Sequence, residues 1–312
     1  MSYGFIFPGQ GSQSVGMMAD LAQNFPIVKT LYEEASHILG YDLWQIVQEG
    51  PESKLNQTHI TQPALLTAGY AAYKVLASEV EAHPAYMAGH SLGEYTALVA
   101  AESINFAQGV ELVAERGRLM ELAVDEGEGA MAAVIGLEDE KVAEICQQVA
   151  GIVEPANFNS PGQVVIAGYK EAVEKAIPLM QEAGAKKVVM LAVSVPSHCS
   201  LMKPAADNLA KFMASFTFQT PKVPVIHNAD VQTHTEDAEL KKALVEQLYR
   251  PVQWVKTMQL MAKEGVETLY ELGPGKVLMG LNRRIDRKVK TLPVYDTESM
   301  KKAIEALGDA SC

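Results

Sequence analysis

The chain has 312 residues, of which 48% are hydrophobic and 21% charged, a composition typical of a globular protein. Its formal net charge of −12 argues against a nucleic acid as a partner, because phosphate backbones attract basic surfaces. The N-terminal segment lacks the basic start of a signal peptide, and no apolar stretch reaches the ~18 residues of a membrane helix. We therefore expect neither secretion nor a membrane span.

The first part of the chain alternates strands and helices. The run YGFIF predicts a buried strand at residues 3–7, which Pro8 and Gly9 end. The predicted elements that follow are a helix at 27–39, a helix at 62–80 with Thr61 as its N-cap, a strand at 85–88 and a helix at 106–124. This alternation predicts an α/β fold with a doubly wound parallel sheet.

The middle of the chain has a different order. Strand, helix, strand, strand, helix and strand are predicted at 130–135, 138–149, 152–158, 163–168, 170–183 and 187–193, the ferredoxin-like arrangement. The α/β alternation then resumes, with helices at 200–215, 237–249, 253–264 and 297–307 and strands at 223–228 and 267–272. We infer a small ferredoxin-like domain (126–197) inserted into a large α/β domain made of residues 1–125 and 198–312.

The pentapeptide GHSLG at 89–93 has the form of a nucleophile elbow, in which a strand precedes the serine and a helix follows it. Both elements are predicted here, so Ser91 is a candidate nucleophile; the alternative is a glycine-rich turn with an idle serine. For the base, His198 follows a predicted strand and precedes the helix at 200–215, whose dipole favours a neutral ring. His90 adjoins Ser91, but adjacent side chains diverge on a sharp turn.

The other candidate groups are weaker. His37, His59, His83, His227 and His234 are predicted to be surface or capping residues. The cysteines (Cys146, Cys199 and Cys312) are too few and scattered for a disulfide framework, and no metal-ligand spacing occurs, so we expect a reducing cytoplasm and no metal. Cys199 lacks an activating setting for a nucleophile.

No acidic partner for His198 is evident. Between Ser91 and His198 the acids lie mostly in helices predicted to be solvated, and the Asp-Gly pair of patatin-like enzymes is absent. Arg116, by contrast, lies on the apolar stripe of its helix, while Arg118 lies on the solvated side. Arg116 is therefore either a structural ion-pair residue or a receptor that binds a carboxylate through two hydrogen bonds.

Two glycine-rich loops lack the nucleotide-binding signatures. FPGQGSQ at 7–13 has neither the third glycine of the dinucleotide fingerprint nor the P-loop lysine. Its backbone N–H groups can instead face a developing oxyanion. LGPGK at 272–276 resembles a second anion-binding nest, but we interpret it as the start of a helix.

Motifs spread along the chain together resemble the malonyl-CoA:acyl carrier protein transacylases of fatty acid synthesis. In chain order they are FPGQGSQ, TQPALL, GHSLGEY, ERGRLM, NFNSPGQVVIAG, VPSHCSLM, EQLYRPVQW and ELGPGKVL. The resemblance covers essentially the whole chain. It implies a hydrolase-like α/β core with a ferredoxin-like insert, in agreement with the order of elements.

The resemblance also implies roles for matching positions. Ser91 attacks the malonyl thioester and becomes an O-malonyl ester, and His198 takes its proton and returns it to the departing thiolate. The backbone amides of Gln10 and Leu92 form the oxyanion hole. The backbone carbonyl of Gln247 holds the imidazole of His198, so no acidic side chain is required.

Further residues are implied around the acyl group. Arg116 holds the malonyl carboxylate, Gln62 supports the pocket, and Asn157 and Asn159 satisfy hydrogen bonds where the insert meets the site. Residues 195–197 (Val-Pro-Ser) match the fatty acid enzymes, which favours malonyl over methylmalonyl without excluding a methyl branch.

The implied partners are a CoA thioester and an acidic acyl carrier protein, with no cofactor. The densest basic segments predict where the carrier protein docks, namely Lys186, Lys187, Arg283 and Arg284. A monomer is expected. The alternatives left open are a serine thioesterase or hydrolase, a polyketide-type acyltransferase that accepts methylmalonyl, and a carrier-binding subunit without activity.

Overall fold

Two β-sheets organise the computed structural model, which describes residues 2–193 and 195–310. The strands in chain order are β1 (Ser2–Phe7), β2 (Tyr86–Gly89), β3 (Gly129–Ile135), β4 (Val153–Ser160), β5 (Gln163–Tyr169), β6 (Lys187–Met190), β7 (Val225–Ile226), β8 (Val266–Leu272) and β9 (Lys290–Val294). One sheet has the order β7-β2-β1-β8-β9, and the other has the order β4-β5-β3-β6.

Helices cover both sheets. In chain order they are α1 (Ala19–Asn24), α2 (Ile27–Leu39), α3 (Leu43–Glu49), α4 (Glu52–Leu55), α5 (Thr58–Glu79), α6 (Leu92–Ala100), α7 (Phe106–Glu121), α8 (Asp139–Gln148), α9 (Lys170–Glu182), α10 (Lys203–Met213), α11 (Asp237–Tyr249), α12 (Trp254–Lys263), α13 (Val277–Ile285) and α14 (Thr297–Ala310). In the described part of the chain, no helix is long and apolar enough to cross a membrane.

The larger sheet is parallel and buried on both faces. Phe5 and Phe7 of β1 pack into one hydrophobic cluster with the buried residues of α5 and α6, and Ile6 packs into another with residues of α12 and α13. Strands enclosed in this way are apolar throughout, as YGFIF is. β2 pairs with β1 in parallel register, so the loops after these two strands leave the same edge of the sheet. The residues after β1 and β2 therefore meet.

The smaller sheet is antiparallel, with α8 and α9 packed against it around a cluster that contains Val134, Ile166 and Val173. Its strand order and connections are those of the ferredoxin-like arrangement. Backbone hydrogen bonds connect β4 to the rest of the protein, because Phe158 donates to the Val252 carbonyl and Val252 donates to the Ala156 carbonyl, both at 2.9 Å. The predicted fold class is thus confirmed; the domain limits at 126 and 197 stay a prediction.

Several predicted boundaries differ from the structure. The helix predicted at 62–80 begins at Thr58, and Thr61 is not its N-cap: its hydroxyl donates to the Leu55 carbonyl from within the helix. The helix predicted at 200–215 begins as a 3₁₀ turn at Ser200–Met202. The strand predicted at 187–193 ends at Met190, and Ser194 lies outside the described residues. Four elements were not predicted at all, namely α1, α3, α4 and β9, and α13 was anticipated only by the helix start at 272–276.

Candidate active site

Ser91 stands at the sharp turn between β2 and α6 with φ 51° and ψ −108°. A side chain in this backbone region is strained by about 1–3 kcal/mol, so the surroundings must impose the turn. Gly89 and Gly93 allow it, because a Cβ atom on Gly89 would lie 1.9 Å from the Gly93 carbonyl carbon, and one on Gly93 would lie 2.1 Å from the Phe7 oxygen. The Ser91 N–H also donates to Asn228 Oδ1 at 2.8 Å. The predicted elbow is therefore present.

His198 lies against this serine, with Nε2 2.7 Å from Ser91 Oγ. Its Nδ1 lies 2.7 Å from the main-chain oxygen of Gln247. Because a carbonyl oxygen only accepts hydrogen bonds, Nδ1 must carry the proton and Nε2 must present its lone pair. The ring is thus held in the tautomer that can accept the Ser91 proton.

Burial lowers the pKa of His198 from its ordinary value of 6.5 to about 3, and the positive charge of Arg116 adds to this effect. The Gln247 carbonyl opposes the shift, since it accepts a hydrogen bond from the charged ring as well. We had predicted that the dipole of the following helix keeps the His198 ring neutral. That explanation is replaced, because α10 begins only at Lys203 and burial is the main cause.

Arg116 is 1% exposed and reaches the nucleophile from α7. Its Nη2 donates to Ser91 Oγ at 3.2 Å and to Gln247 Oε1 at 2.9 Å, and its guanidinium carbon lies 5.0 Å from the centre of the Tyr95 ring. Its Nε makes no hydrogen bond within the described residues. The inward orientation predicted for Arg116 is confirmed, as is the exposure of Arg118, which pairs with Glu115 instead.

These groups face a cavity of about 120 Å³. Its lining combines polar residues of the elbow with apolar side chains of α6, α7, β3 and the segment after β6: Gln10, His90, Ser91, Leu92, Arg116, Met120, Met131, Asn157, Leu191, Val193, Val195, Ser197 and His198. Gln10, which follows β1, and Leu92, which follows the nucleophile, line the same cavity as Ser91. The two residues predicted for the oxyanion hole are thus brought to one cavity with it; their role stays a prediction. The cavity offers room for a small acyl group beside the buried guanidinium of Arg116.

The remaining predicted residues lie around this centre. Gln62 is buried and its amide contacts Met120 Sδ at 3.5 Å, while Asn157 lines the cavity. Asn159 Oδ1 lies 2.7 Å from His90 Nε2, so the smaller sheet does contact the elbow. His90 itself is kept neutral by burial, which lowers its pKa.

The four predicted docking residues are exposed, and two of them converge. Lys187 and Gln163 both pair with Ile135, on opposite sides of β3, and Arg284 Nη1 donates to Gln163 Oε1 at 2.8 Å. Neighbouring strands lie about 4.8 Å apart, so Lys187 and Gln163 are separated by roughly 10 Å on one face of the sheet. Basic segments distant in sequence thus approach each other at this end of the smaller sheet; Lys186 and Arg283 adjoin them in the chain.

A buried polar network below Ser91 was missed by the sequence analysis. Glu94 is fully buried, and its carboxylate lies 2.7 Å from His227 Nδ1 and accepts from the Asn228 N–H at 2.8 Å and from Gln247 Nε2 at 3.0 Å. Asn228 in turn donates to the Gly89 carbonyl. The prediction that His227 is a surface or capping residue is therefore wrong. An acid three residues after the nucleophile, in the first turn of α6, was the available signal.

Comparison with known proteins decides the family. A family model described as an acyl transferase domain matches residues 4–301. The chain belongs to the acyl transferase family. This acyl transferase is 55% identical to the malonyl CoA-acyl carrier protein transacylase of Escherichia coli strain K12 over 97% of its own length and 99% of the relative's. It is 42% identical to that of Bacillus subtilis strain 168 over 97% and 96% of the two chains.

Solved structures agree with these relatives. A malonyl-transacylase in complex with a type II PKS acyl-carrier protein has a TM-score of 0.97 and 51% identity, covering 98% of this chain and 100% of that one. An acyl carrier protein S-malonyltransferase of Vibrio cholerae has a TM-score of 0.95 and 53% identity, covering 97% and 99%. The resemblance found in the sequence is confirmed.

The structure gives no support for a cysteine nucleophile or a metal site among the described residues of this acyl transferase. Cys199 is buried, and its burial raises the thiol pKa to about 12, so it is not an activated nucleophile. Cys146 is also buried and free, and Cys312 lies outside the described residues. Among the described residues, no group of three or more His, Cys, Asp or Glu side chains is placed to hold a metal ion.

Proposed function

We propose that this acyl transferase moves the malonyl group of malonyl-CoA onto the phosphopantetheine thiol of an acyl carrier protein, and so supplies extender units for fatty acid synthesis. The observation that carries the proposal is the contact of one hydroxyl, Ser91 Oγ, with both a neutral imidazole at 2.7 Å and a buried guanidinium at 3.2 Å. The first group activates a nucleophile. The second fits an acyl chain that ends in a carboxylate.

In the first half-reaction, Ser91 Oγ attacks the thioester carbonyl and its proton passes to His198 Nε2. The N–H groups of Gln10 and Leu92 face the resulting oxyanion, and each such donor contributes about 2.7–4 kcal/mol. The C–S bond then breaks, and the CoA thiolate takes the proton from His198. The product is a malonyl ester of Ser91.

In the second half-reaction, the same groups act in reverse. The carrier thiol gives its proton to His198, its sulfur attacks the ester carbonyl, and Ser91 Oγ leaves with that proton. Transfer requires that the ester survives until the thiol arrives, so we propose that the acyl group, once it fills the cavity of about 120 Å³, keeps water from the ester.

Arg116 selects the acyl group in this scheme. An acetyl group would leave the buried guanidinium without a carboxylate partner, which costs about 3–5 kcal/mol for a group so enclosed. That difference corresponds to roughly two to four decades in rate. Residues 195–197, which favour malonyl over methylmalonyl, begin at the cavity wall with Val195.

The partners follow from this reaction. We propose that the carrier protein, as in the related malonyl-transacylase complex, docks on this chain, and that its acidic surface meets Lys186, Lys187, Arg283 and Arg284. We further propose that the enzyme acts in the cytoplasm as a monomer and needs no cofactor beyond its two substrates.

Mass spectrometry after a brief exposure to malonyl-CoA tests the proposal. We expect one malonyl group on Ser91, its discharge onto added carrier protein, and no label on a Ser91→Ala variant. A serine thioesterase, the second candidate, would instead release free malonate without a carrier and accumulate no ester. Labelling by methylmalonyl-CoA at an equal rate would favour the polyketide-type alternative.

A further inference from the structure

Two buried side chains of opposite charge are separated in the site by a single amide. Glu94 is 0% exposed and Arg116 is 1% exposed. Between them lies the side chain of Gln247, whose Oε1 accepts from Arg116 Nη2 at 2.9 Å and whose Nε2 donates to Glu94 Oε2 at 3.0 Å. The amide therefore connects an acid to a cation without direct contact between the two.

The chemistry of the two ends fixes the orientation of this amide. A carboxylate only accepts hydrogen bonds and a guanidinium only donates them. Gln247 can satisfy both in one orientation alone, with its NH₂ group toward Glu94 and its oxygen toward Arg116. The main-chain oxygen of Ser91 also accepts from Gln247 Nε2, at 2.9 Å, and supports the same orientation.

Glu94 is itself held firmly enough to impose this order. One carboxylate oxygen lies 2.7 Å from His227 Nδ1, and the other accepts from the main-chain N–H of Asn228 at 2.8 Å. Both partners are fully buried. Because the carboxylate cannot rotate freely, its Oε2 atom accepts the hydrogen bond of Gln247 at a fixed position.

We propose that Glu94 is a positioning residue for the acyl-carboxylate receptor and acts on Arg116 through the amide of Gln247. The neutral amide oxygen aims the guanidinium at Ser91 without neutralising its charge, so the charge stays available to the substrate. A direct contact of Glu94 with Arg116 would occupy the receptor. The inference rests on the proposed function, since such a receptor matters only for an acyl group with a second carboxylate.

The test compares the acylation of Ser91 by malonyl-CoA and by acetyl-CoA in a Glu94→Ala variant. We expect kcat/KM for malonyl-CoA to fall by about tenfold, or about 1.4 kcal/mol, while the value for acetyl-CoA changes much less. Glu94→Gln should restore malonyl transfer, because its carbonyl oxygen can accept from Gln247 and Asn228. Glu111→Ala, which removes an exposed acid from the helix that carries Arg116, is the matched control.

A double-mutant cycle locates the effect. Gln247→Met removes the amide but keeps the main-chain carbonyl that holds His198. If Glu94 acts through this amide, the double variant Glu94→Ala with Gln247→Met loses no more malonyl preference than Gln247→Met alone. Additive losses overturn the proposal.

The remaining outcomes separate this inference from the proposed function. If the wild-type enzyme shows no preference for malonyl-CoA, the proposed function fails. If the preference exists but Glu94→Ala lowers both acylations equally, or Glu94→Gln fails to restore it, the positioning role is overturned. Should Glu94→Ala not fold, Glu94→Asp withdraws the carboxylate by one methylene and must show the same selective loss.

Discussion

His198 is fixed to the last turn of α11 at two points. Its ring Nδ1 lies 2.7 Å from the Gln247 carbonyl oxygen, and its main-chain N–H donates to the Leu248 carbonyl at 3.0 Å. The backbone of one helix thus sets both the position and the tautomer of the ring, at a residue whose own φ is 63°. An acid in contact with the ring would raise its pKa, whereas this arrangement leaves burial and Arg116 to lower it.

The pH dependence of acylation follows from that environment. Since the pKa of His198 is lowered from 6.5 to about 3, its neutral form persists in the folded enzyme as the pH falls below 6.5. We expect kcat/KM for malonyl-CoA to stay constant from pH 8 to ~5 and to decline only at lower pH. Stopped-flow measurement of CoA release over this range is the check.

The same pKa has a consequence for stability. Between pH 6.5 and about 3 the unfolded chain binds a proton at His198 that the folded chain does not, so the free energy of unfolding decreases as the pH falls through this window.

The pH profile of acylation should also respond to Arg116. Arg116→Ala removes a nearby positive charge, so the decline of kcat/KM at low pH, measured with acetyl-CoA, should move to higher pH. An acidic limb centred at 6.5 in the wild-type enzyme would contradict the assigned environment.

Acyl selectivity should depend on Arg116. Replacement by alanine removes the buried cation, so we expect loss of malonyl transfer and a relative gain for acetyl-CoA, with the ratio of the two kcat/KM values falling by roughly two to four decades. Arg118→Ala is the control on the same helix, since Arg118 is exposed and pairs with Glu115. Intact malonyl preference in Arg116→Ala would show that the receptor lies elsewhere.

The nucleophile elbow should tolerate no side chain at Gly93. An added Cβ atom would lie 2.1 Å from the Phe7 oxygen, so Gly93→Ala must displace β1 or α6. We expect a loss of several kcal/mol in the free energy of unfolding, in the range of severe core overpacking, and loss of Ser91 acylation. Urea denaturation measures the first effect and malonyl labelling the second.

Gly280→Ala provides the comparison for this substitution. Gly280 lies in α13 with open space where a Cβ atom would be added, so alanine there should leave stability unchanged or raise it by up to about 1 kcal/mol. Wild-type stability in Gly93→Ala would mean that the turn relaxes more easily than its contacts indicate.

The parts of the site that the sequence predicted share a local pattern. Ser91 was identified because a strand, two glycines and a helix surround it, and Arg116 because it stands on an apolar helical stripe. For Glu94, the sequence showed no comparable difference between an apolar and a polar face of the helix. Every residue of α6 is buried, so this helix has no solvated face against which the direction of one acid can be judged.

Tertiary contacts also determine the features whose extent or position the sequence did not predict correctly. The strand predicted at 223–228 is reduced to Val225–Ile226, because the chain pairs with β2 only briefly before His227 and Asn228 turn toward Glu94. The apolar pattern of residues 223–228 indicated that the segment is buried, but it did not indicate how many of its residues pair with a neighbouring strand. The convergence of Lys187 with Arg284 was equally hidden, since it depends on the pairing of two strands with β3.

Docking of the carrier protein should depend on that convergence. Charge reversal by Lys187→Glu or Arg284→Glu places a negative charge where an acidic partner approaches, so we expect a higher apparent KM for carrier protein and an unchanged half-reaction with malonyl-CoA. The two substitutions should weaken each other's effect if both residues contact one partner. Lys29→Glu, a charge reversal at an exposed residue of α2, is the control for net charge.

The effect of the reversals should also depend on salt. Because exposed charges act within a Debye length of about 10 Å at 0.1 M salt, the increase in KM should shrink as salt is added. Equal effects of either reversal on both half-reactions would place the contact surface elsewhere.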